Sequence, residues 1–262
     1  MYIDFHTHGK LAKKLPFSTI YTDWLFGEAK DSGLDAICLT EHFNTLQFEQ
    51  MYKYIMESTV RDKDTLVAEN GLRIFTGMET DIEEGGHILC VGIPEEILEL
   101  NKRLEPFKEK GKFLSFKKLM ELFSEYNTIV GAAHPFREGG HIPELSLEDL
   151  KGFDFIDLNG KDIAQDRKTT EEKTYGFGKM LGIPVVSGSD THQAVQYGCI
   201  RTNIFSEKNT VQELYNEIKE GHYNIEVSDN AAFQVKTAGM LKKALKEIHA
   251  AGGDYVSVLV GE

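Results

Sequence analysis

Short apolar runs recur along the chain at intervals that suit strands alternating with helices. Alternating or continuous apolar segments predict strands at Tyr2–His8, Asp35–His42, Arg73–Asp81, His87–Ile93, Asn127–His134, Phe153–Leu158 and Ile183–Asp190. A weaker eighth strand spans Gly198–Phe205. Helical patterns lie between several of them, at Thr19–Ser32, Leu46–Val60, Phe116–Tyr126 and Glu171–Leu181. Gly33 and Gly182 stand just past two of these helices and read as stop signals, because glycine tolerates the left-handed backbone that ends a helix. The tail adds two more helices, Val211–Gly221 and Thr237–Ala250, the second ending at Gly252 and Gly253. No repeat, low-complexity tract or linker divides the chain, so one domain over residues 1–262 is expected. Strand–helix alternation of this kind argues for a mostly parallel sheet, open or closed into a barrel.

The chain has 262 residues, 27% charged and 41% hydrophobic, which is ordinary for a globular protein and excludes disorder. A chain of this length buries roughly 70–75% of its unfolded surface and needs no disulfide frame. No apolar run approaches the roughly 18 residues of a membrane span. The start, MYIDFHTHGK, lacks the pattern of a secretion signal, so the cytoplasm is the expected compartment. There are 42 acidic against 29 basic residues, a formal charge of −13, which makes a long nucleic acid a poor partner unless carboxylates hold cations. Cys38, Cys90 and Cys199 each fall in an apolar segment and read as buried free thiols.

The histidines carry the chemistry. Of nine, six fall at or near strand ends. His6 and His8 lie two apart at the end of the first strand, so alternation puts them on one face together with Asp4, while Ile3 and Phe5 point the other way. His42 closes the second strand in ICLTEH, Glu79 lies late in the third in GMETD, His134 ends the fifth in VGAAHP, and Asp190 and His192 end the seventh in SGSDTH. In a parallel barrel the C-terminal strand ends meet on one rim, where active sites are built. His87 opens its strand, so it reaches that rim only from a strand running the other way or from a loop folded over it. A single HxH or strand-end histidine is ordinary; the joint pattern is not. Imidazole and carboxylate are the ligands that Zn, Mn or Fe prefer, so the set predicts a metal site. His141, His222 and His249 lack partners in register and read as loop or helix-end residues.

The ordered motifs HTH, TEH, GMET, a downstream His, AHP and SDTH resemble the polymerase and histidinol phosphatase (PHP) family over about residues 1–205. The resemblance implies an α/β fold, a distorted (β/α)7 TIM-like barrel of PHP type, binding two or three divalent metal ions (Zn, Mn or Fe) and hydrolysing phosphate esters. It implies a first metal on His6, His8, Glu79 and Asp190, and a second on Glu79, His87 and His134, with Glu79 bridging. A third family site uses a histidine after HxH together with the positions of His42 and His192. Here that stretch reads GKLAKKLPFS, the expected position falls near Lys14, and a protonated lysine has no lone pair to offer. A two-metal site is therefore favoured, with a third, weakly held metal as the alternative. The family has TDH more often than TEH, and Glu41 is expected to point away from the His42 face.

Two metals about 3.5–4 Å apart activate a water and stabilise both oxygens of an in-line displacement, so no Ser or Cys nucleophile is needed. Asp190 is the candidate to orient that water and His192 to protonate the leaving group if it is not a ligand. Arg137, Lys14 and Arg201 are the candidate phosphate-binding residues, with Lys10, Lys13 and Lys161 as further cations near the motifs. The first reading is a phosphatase for a small phosphorylated metabolite: histidinol phosphate, a sugar phosphate or a nucleotide. The others are a phosphodiesterase or exonuclease-like hydrolase, a metal-binding regulatory module without turnover, and an amidohydrolase, which the GMET, AHP and SDTH set fits less well.

Overall fold

A computed structural model describes residues 1–261. Its strands are β1 (Tyr2–Thr7), β2 (Ala36–Leu39), β3 (Val60–Asp62), β4 (Thr65–Val67), β5 (Arg73–Asp81), β6 (His87–Gly92), β7 (Ile129–Ala133), β8 (Phe155–Asn159), β9 (Val185–Gly188), β10 (Ile200–Ile204) and β11 (Tyr223–Val227). The helices are α1 (Thr19–Asp31), α2 (Phe48–Ser58), α3 (Pro94–Arg103), α4 (Phe116–Phe123), α5 (Leu147–Leu150), α6 (Gly160–Gln165), α7 (Arg167–Leu181), α8 (Val211–Glu220), α9 (Ala231–Ala250) and α10 (Tyr255–Val260).

The strands β1-β2-β5-β6-β7-β8-β9 follow one another around a barrel. It closes where the chain after β9 returns to the end of β1: the Asp190 amide donates to the His6 carbonyl at 2.7 Å and the His8 amide to the Thr191 carbonyl at 3.0 Å. The start of β1 instead pairs with β10, which carries β11 outside the ring. The barrel is mostly parallel, as the alternation of elements predicts: β1-β2, β2-β5, β7-β8 and β8-β9 are parallel, and β6 alone runs antiparallel to both neighbours. That reversal lets His87, at the beginning of β6, share a rim with residues at the ends of the other strands. It follows from the short Glu83–Gly86 turn between β5 and β6, which leaves no room for a crossover helix.

Ile3, Phe5, Phe75, Leu89, Val91, Phe155 and Val186 fill the barrel interior, and α8 closes its floor with Val211, Leu214 and Ile218. A second apolar layer packs the helices on the outside, through Ile37, Leu39, Ile74, Ile156 and Leu158 among others. Gly131 is needed in the interior, because a Cβ there would stand 2.1 Å from the Phe155 ring. The segment 206–262 thus builds the floor through α8, while α9 leans on α6 and on the 3-10 turn Ala194–Gln196 at the opposite rim.

Sequence and structure agree closely on α1 and α2, and on the end of α7, which begins four residues before the expected Glu171. The helix α3, begun by Pro94 with two acidic residues in its first turn, and the hairpin β3-β4 were not expected. The helix α9 begins six residues earlier than the apolar spacing from Thr237 suggests, a shift read from its first residue Ala231.

Candidate metal centre

The side chains of His6 and His8 enter the barrel because β1 is bulged. Its register against β2 shifts between Asp4 and Thr7, so the inward set runs Ile3, Phe5 and then His6, His8. Strict alternation therefore fails here: Phe5 packs inside, with its ring 5.7 Å from that of Phe155. Asp4 receives the Ser189 and His6 amides at 2.9 and 3.1 Å and acts as a buried strap between β1 and the segment after β9. Two further residues of the site have left-handed backbones, His134 at φ 31° and Asp190 at φ 57°. Neither is glycine, so each conformation costs of order 1–3 kcal/mol and persists because the surroundings enforce it.

Glu79 is the hub. Its Oε2 lies 3.6 Å from His6 Nε2, 3.6 Å from His8 Nε2 and 2.6 Å from His42 Nδ1, whereas its Oε1 lies 2.6 Å from His87 Nδ1 and 3.1 Å from His134 Nε2. The two oxygens thus face two different imidazole sets, as a bridging carboxylate must. Asp190 Oδ1 approaches His8 Nε2 at 3.3 Å. Four sets of three donors have ligand atoms within 4.8 Å of one another: His6-His8-Glu79, His6-His134-Asp190, Glu79-His87-His134 and His8-His42-His192. The last bears on the missing third-site histidine: His8 itself supplies the third imidazole, with its ring stacked on His192 at 4.0 Å between centroids.

The donor atoms fit a cation. His6 Nε2, both ring nitrogens of His8, His42 Nδ1 and Glu79 Oε2 are buried and make no hydrogen bond. The His42–Glu79 contact is short, at 2.6 Å, yet not aligned as a hydrogen bond, so two acceptor-bearing atoms face a common point. Burial holds His8 and His192 far below the usual imidazole range, and holds His134 below it, keeping their lone pairs free. Burial also opposes charge on His6 and His87, but Glu79, helped by Asp157 and Asp81 respectively, pushes them up to about 10 and about 9. Burial would raise Glu79, but His42, His87 and His6 overcome it and hold the carboxylate well below its ordinary value. Positive charge is thus favoured around Glu79.

Outer residues fix how the imidazoles point. His6 Nδ1 bonds Asp157 Oδ2 at 3.0 Å, His87 Nε2 faces Asp81 Oδ1 at 3.0 Å, and His192 Nδ1 donates to the Lys10 carbonyl at 2.9 Å. The last bond leaves Nε2 of neutral His192 as a lone-pair atom, which suits a ligand and argues against the general-acid role read from the sequence. Glu41 does not point away from the cluster: it is fully buried, accepts from the Gly9 amide at 3.1 Å and lies 3.9 Å from His8 Nδ1. Asp157 and Asp81 escaped the sequence reading, although a lone Asp inside the apolar run FIDLN was a usable signal.

The phosphate-binding candidates separate. Arg137 reaches the site, with Nη1 on Asp190 Oδ2 at 2.8 Å, Nη2 on Asn159 at 2.7 Å and Nε on Asp162 at 2.9 Å. Lys161 Nζ lies 2.7 Å from Asp190 Oδ1. Lys14 is exposed and lines a separate groove beyond Thr45. Arg201 sits at the other end of β1, bonded to Glu226 at 2.9 Å and stacked on the Tyr2 ring at 3.9 Å. Neither Lys14 nor Arg201 joins the cluster. Lys10 is buried and bonds Thr45 at 3.1 Å, and Lys13 reaches only Asp81, at 3.3 Å. A polar cavity of about 430 Å³ adjoins the centre, lined in part by His134, Arg137, Asp157, Asn159, Asp162 and Thr170.

A barrel whose rim gathers imidazoles around one shared carboxylate defines a metal-dependent hydrolase, of the class that acts on phosphate esters. The PHP domain model matches residues 4–171, and the chain belongs to the PHP domain family. Among solved structures, PsfC from Pseudomonas syringae PB-5123 is similar in fold, with a TM-score of 0.75 and 19% identity, covering 93% of this chain and 98% of that one. The lesion-specific endonuclease PfuEndoQ from Pyrococcus furiosus follows at a TM-score of 0.61 and 20% identity, covering 86% of this chain and 58% of that one. Endonuclease Q in complex with a 27-mer duplex carrying an abasic lesion at its active site gives 0.62 and 19%, with the same coverage. This chain thus spans little more than half of the endonuclease. No curated protein matches it.

Proposed function

We propose that the chain is a phosphomonoesterase for a small phosphorylated metabolite, working through two or three divalent ions of the Zn, Mn or Fe type. The observation that carries this reading is the division of Glu79, one oxygen toward His87 and His134 and the other toward His6, His8 and His42. We assign His6, His8, His42, Glu79, His87, His134, Asp190 and His192 as the ligand set. Bound divalent cations supply Lewis acidity, lowering the pKa of a water and stabilising charge that develops on phosphoryl oxygens. We assign Asp190, with one oxygen toward His8 and the other toward Arg137, the role of accepting a hydrogen bond from a nucleophilic water and orienting it. Arg137 keeps further N–H groups for a phosphate, because its three protein partners do not exhaust the guanidinium. The adjoining cavity, rich in Asp, Asn and Thr, suits a leaving group bearing hydroxyls or an amine. Residues 206–262 are read as part of the same domain.

The likeness to an endonuclease supports a phosphodiesterase as the second reading, whereas the net charge of −13 disfavours a long duplex. No described helix is long and apolar enough to cross a membrane.

The test measures metal content together with phosphate release from histidinol phosphate, sugar phosphates and nucleotides, with a synthetic diester and an abasic duplex alongside. Bound metal with monoester turnover that a chelator abolishes is the expected result. Cleavage of the diester or duplex alone would replace the monoester reading by the second one. Metal without any turnover would leave a binding module.

A further inference from the structure

Two side chains of opposite sign lie buried beside the imidazole set His8-His42-His192, and the chemistry assigned above uses neither. Glu41 is 0% exposed and Lys10 is 2% exposed. The three rings stack, with centroids 4.0 Å apart for His8 and His192, 4.3 Å for His8 and His42 and 5.5 Å for His42 and His192. Little in the rings themselves fixes this stack: neither nitrogen of His8 nor Nδ1 of His42 makes a hydrogen bond. Their placement therefore depends on the backbone that carries them.

Glu41 and Lys10 tie that backbone together. Glu41 Oε2 accepts from the Gly9 amide at 3.1 Å, directly after His8, and Oε1 accepts from the His42 amide at 3.1 Å. One carboxylate thus grips the chain just after β1 and at His42 itself. Lys10 closes the link from the other side: its Nζ donates to Thr45 Oγ1 at 3.1 Å and to the Leu46 carbonyl, in the loop that follows His42. The Lys10 carbonyl accepts from His192 Nδ1 at 2.9 Å. The Gly9 carbonyl is held in turn by the Thr22 hydroxyl at 2.9 Å, which fixes this segment to α1. Burying a carboxylate and an ammonium is costly, and the loss is offset only where both find well-aligned partners. Both charges are kept here, at a point that reaches all three histidine-bearing segments.

We propose that Glu41 and Lys10 are positioning residues for the cation that His8, His42 and His192 would hold, so that the loop after HTH, which has no histidine, contributes an anchor in place of a ligand. This rests on the metal-centre reading and deepens it. Neither side chain touches metal or substrate in this arrangement. Glu41 lies 3.9 Å from His8 Nδ1, beyond hydrogen-bond reach, and acts through the Gly9 and His42 amides. Lys10 acts through Thr45 and Leu46. Loss of either loosens this set of imidazoles and spares His87 and His134, which β6 and the end of β7 carry.

The experiment titrates the metal-stripped full chain with cobalt(II), reading each equivalent by its visible absorption, in the wild type, Glu41→Gln and Lys10→Met. Glutamine keeps the shape of Glu41 but turns one acceptor into a donor that faces a backbone amide. Methionine keeps an unbranched stem at position 10 and removes the ammonium. His42→Ala and His87→Ala identify which equivalent belongs to which imidazoles, and Lys14→Met controls for charge on the same loop. In both variants the equivalent that His42→Ala loses is expected to show a Kd about ten- to a hundredfold higher. The equivalent that His87→Ala loses stays within twofold of wild type, and Lys14→Met binds as the wild type does. Should Glu41→Gln fail to fold, Lys10→Met carries the same expectation, since it leaves both Glu41 bonds in place. Binding of every equivalent within twofold of wild type in Lys10→Met would overturn the proposal, and so would equal weakening of all equivalents, which would mean a general loosening of the fold. A wild type that binds no cobalt would sink the metal centre itself, a result distinct from normal wild-type binding with an unresponsive Lys10→Met.

Discussion

Replacing Asp157 by asparagine removes one negative charge behind the metal centre and almost nothing else. Asp157 is 1% exposed, and its Oδ2 receives His6 Nδ1 at 3.0 Å, Asn159 Nδ2 at 2.9 Å and the His134 amide at 3.3 Å. It therefore fixes two candidate ligands, His6 through its ring and His134 through its strained backbone. In Asp157→Asn the amide oxygen can occupy the Oδ2 position and preserve these bonds, but its NH2 must then take the place of Oδ1, which has no partner. That leaves one buried donor unsatisfied, at about 1–3 kcal/mol. Loss of the charge that raises the basicity of a ligating histidine costs about 10–100-fold in metal affinity. Asp157→Ala strands all the donors at once and should lose upwards of about 3 kcal/mol of folding stability as well. Competition against a chromogenic chelator reads the affinity, and thermal melting of the metal-free protein reads the stability. Metal affinity in Asp157→Asn within twofold of the wild type would refute the claim that Asp157 orients a ligand.

Removing metal with a chelator should lower the melting temperature by about 5–10 °C for each site held at a hundredfold excess over its Kd, since about 2.7 kcal/mol of linkage is lost at about 2–4 °C per kcal/mol. An unchanged melt would count against the centre. Gly131→Ala should cost about 3 kcal/mol or more, because its Cβ would meet the Phe155 ring at 2.1 Å, and a melt within a degree of wild type would show that the interior can yield. Arg201→Gln should leave KM within twofold while Arg137→Gln raises it, a contrast that steady-state kinetics on the first working substrate decides. Cys38, Cys90 and Cys199 are buried thiols whose pKa burial raises, so a thiol reagent should label none in the native protein and all after denaturation; rapid native labelling would contradict their packing.

Most barrel strands were legible because an apolar run ends in His, Asp or Glu, as at His8, His42, Asp81, His134 and Asp190. Their directions were less so. Strand β6 reads like its neighbours, and only the position of His87 at its start signalled the reversal that the structure confirms. The bulge in β1 left no trace in YIDFHT, since Phe5 and His6 both fit a buried strand, and inward placement was decided by pairing with β2 and by the segment after β9. The α3 helix shows the opposite failure: Ile97 and Leu100 give it an apolar face, but the acidic residues of PEEILELNKR mask that face in a simple reading of apolar density.

Net charge says little about the field at the site. The chain carries 42 acidic and 29 basic residues, yet the Asp190 carboxylate is paired with two cations, Arg137 at 2.8 Å and Lys161 at 2.7 Å. Exposed carboxylates elsewhere are screened within about 8–10 Å in physiological salt, so they act on how a large polyanion approaches and hardly on a phosphate already inside the rim. An acidic surface and a pair of cations at the rim are therefore compatible, as the proposed small phosphate ester would require.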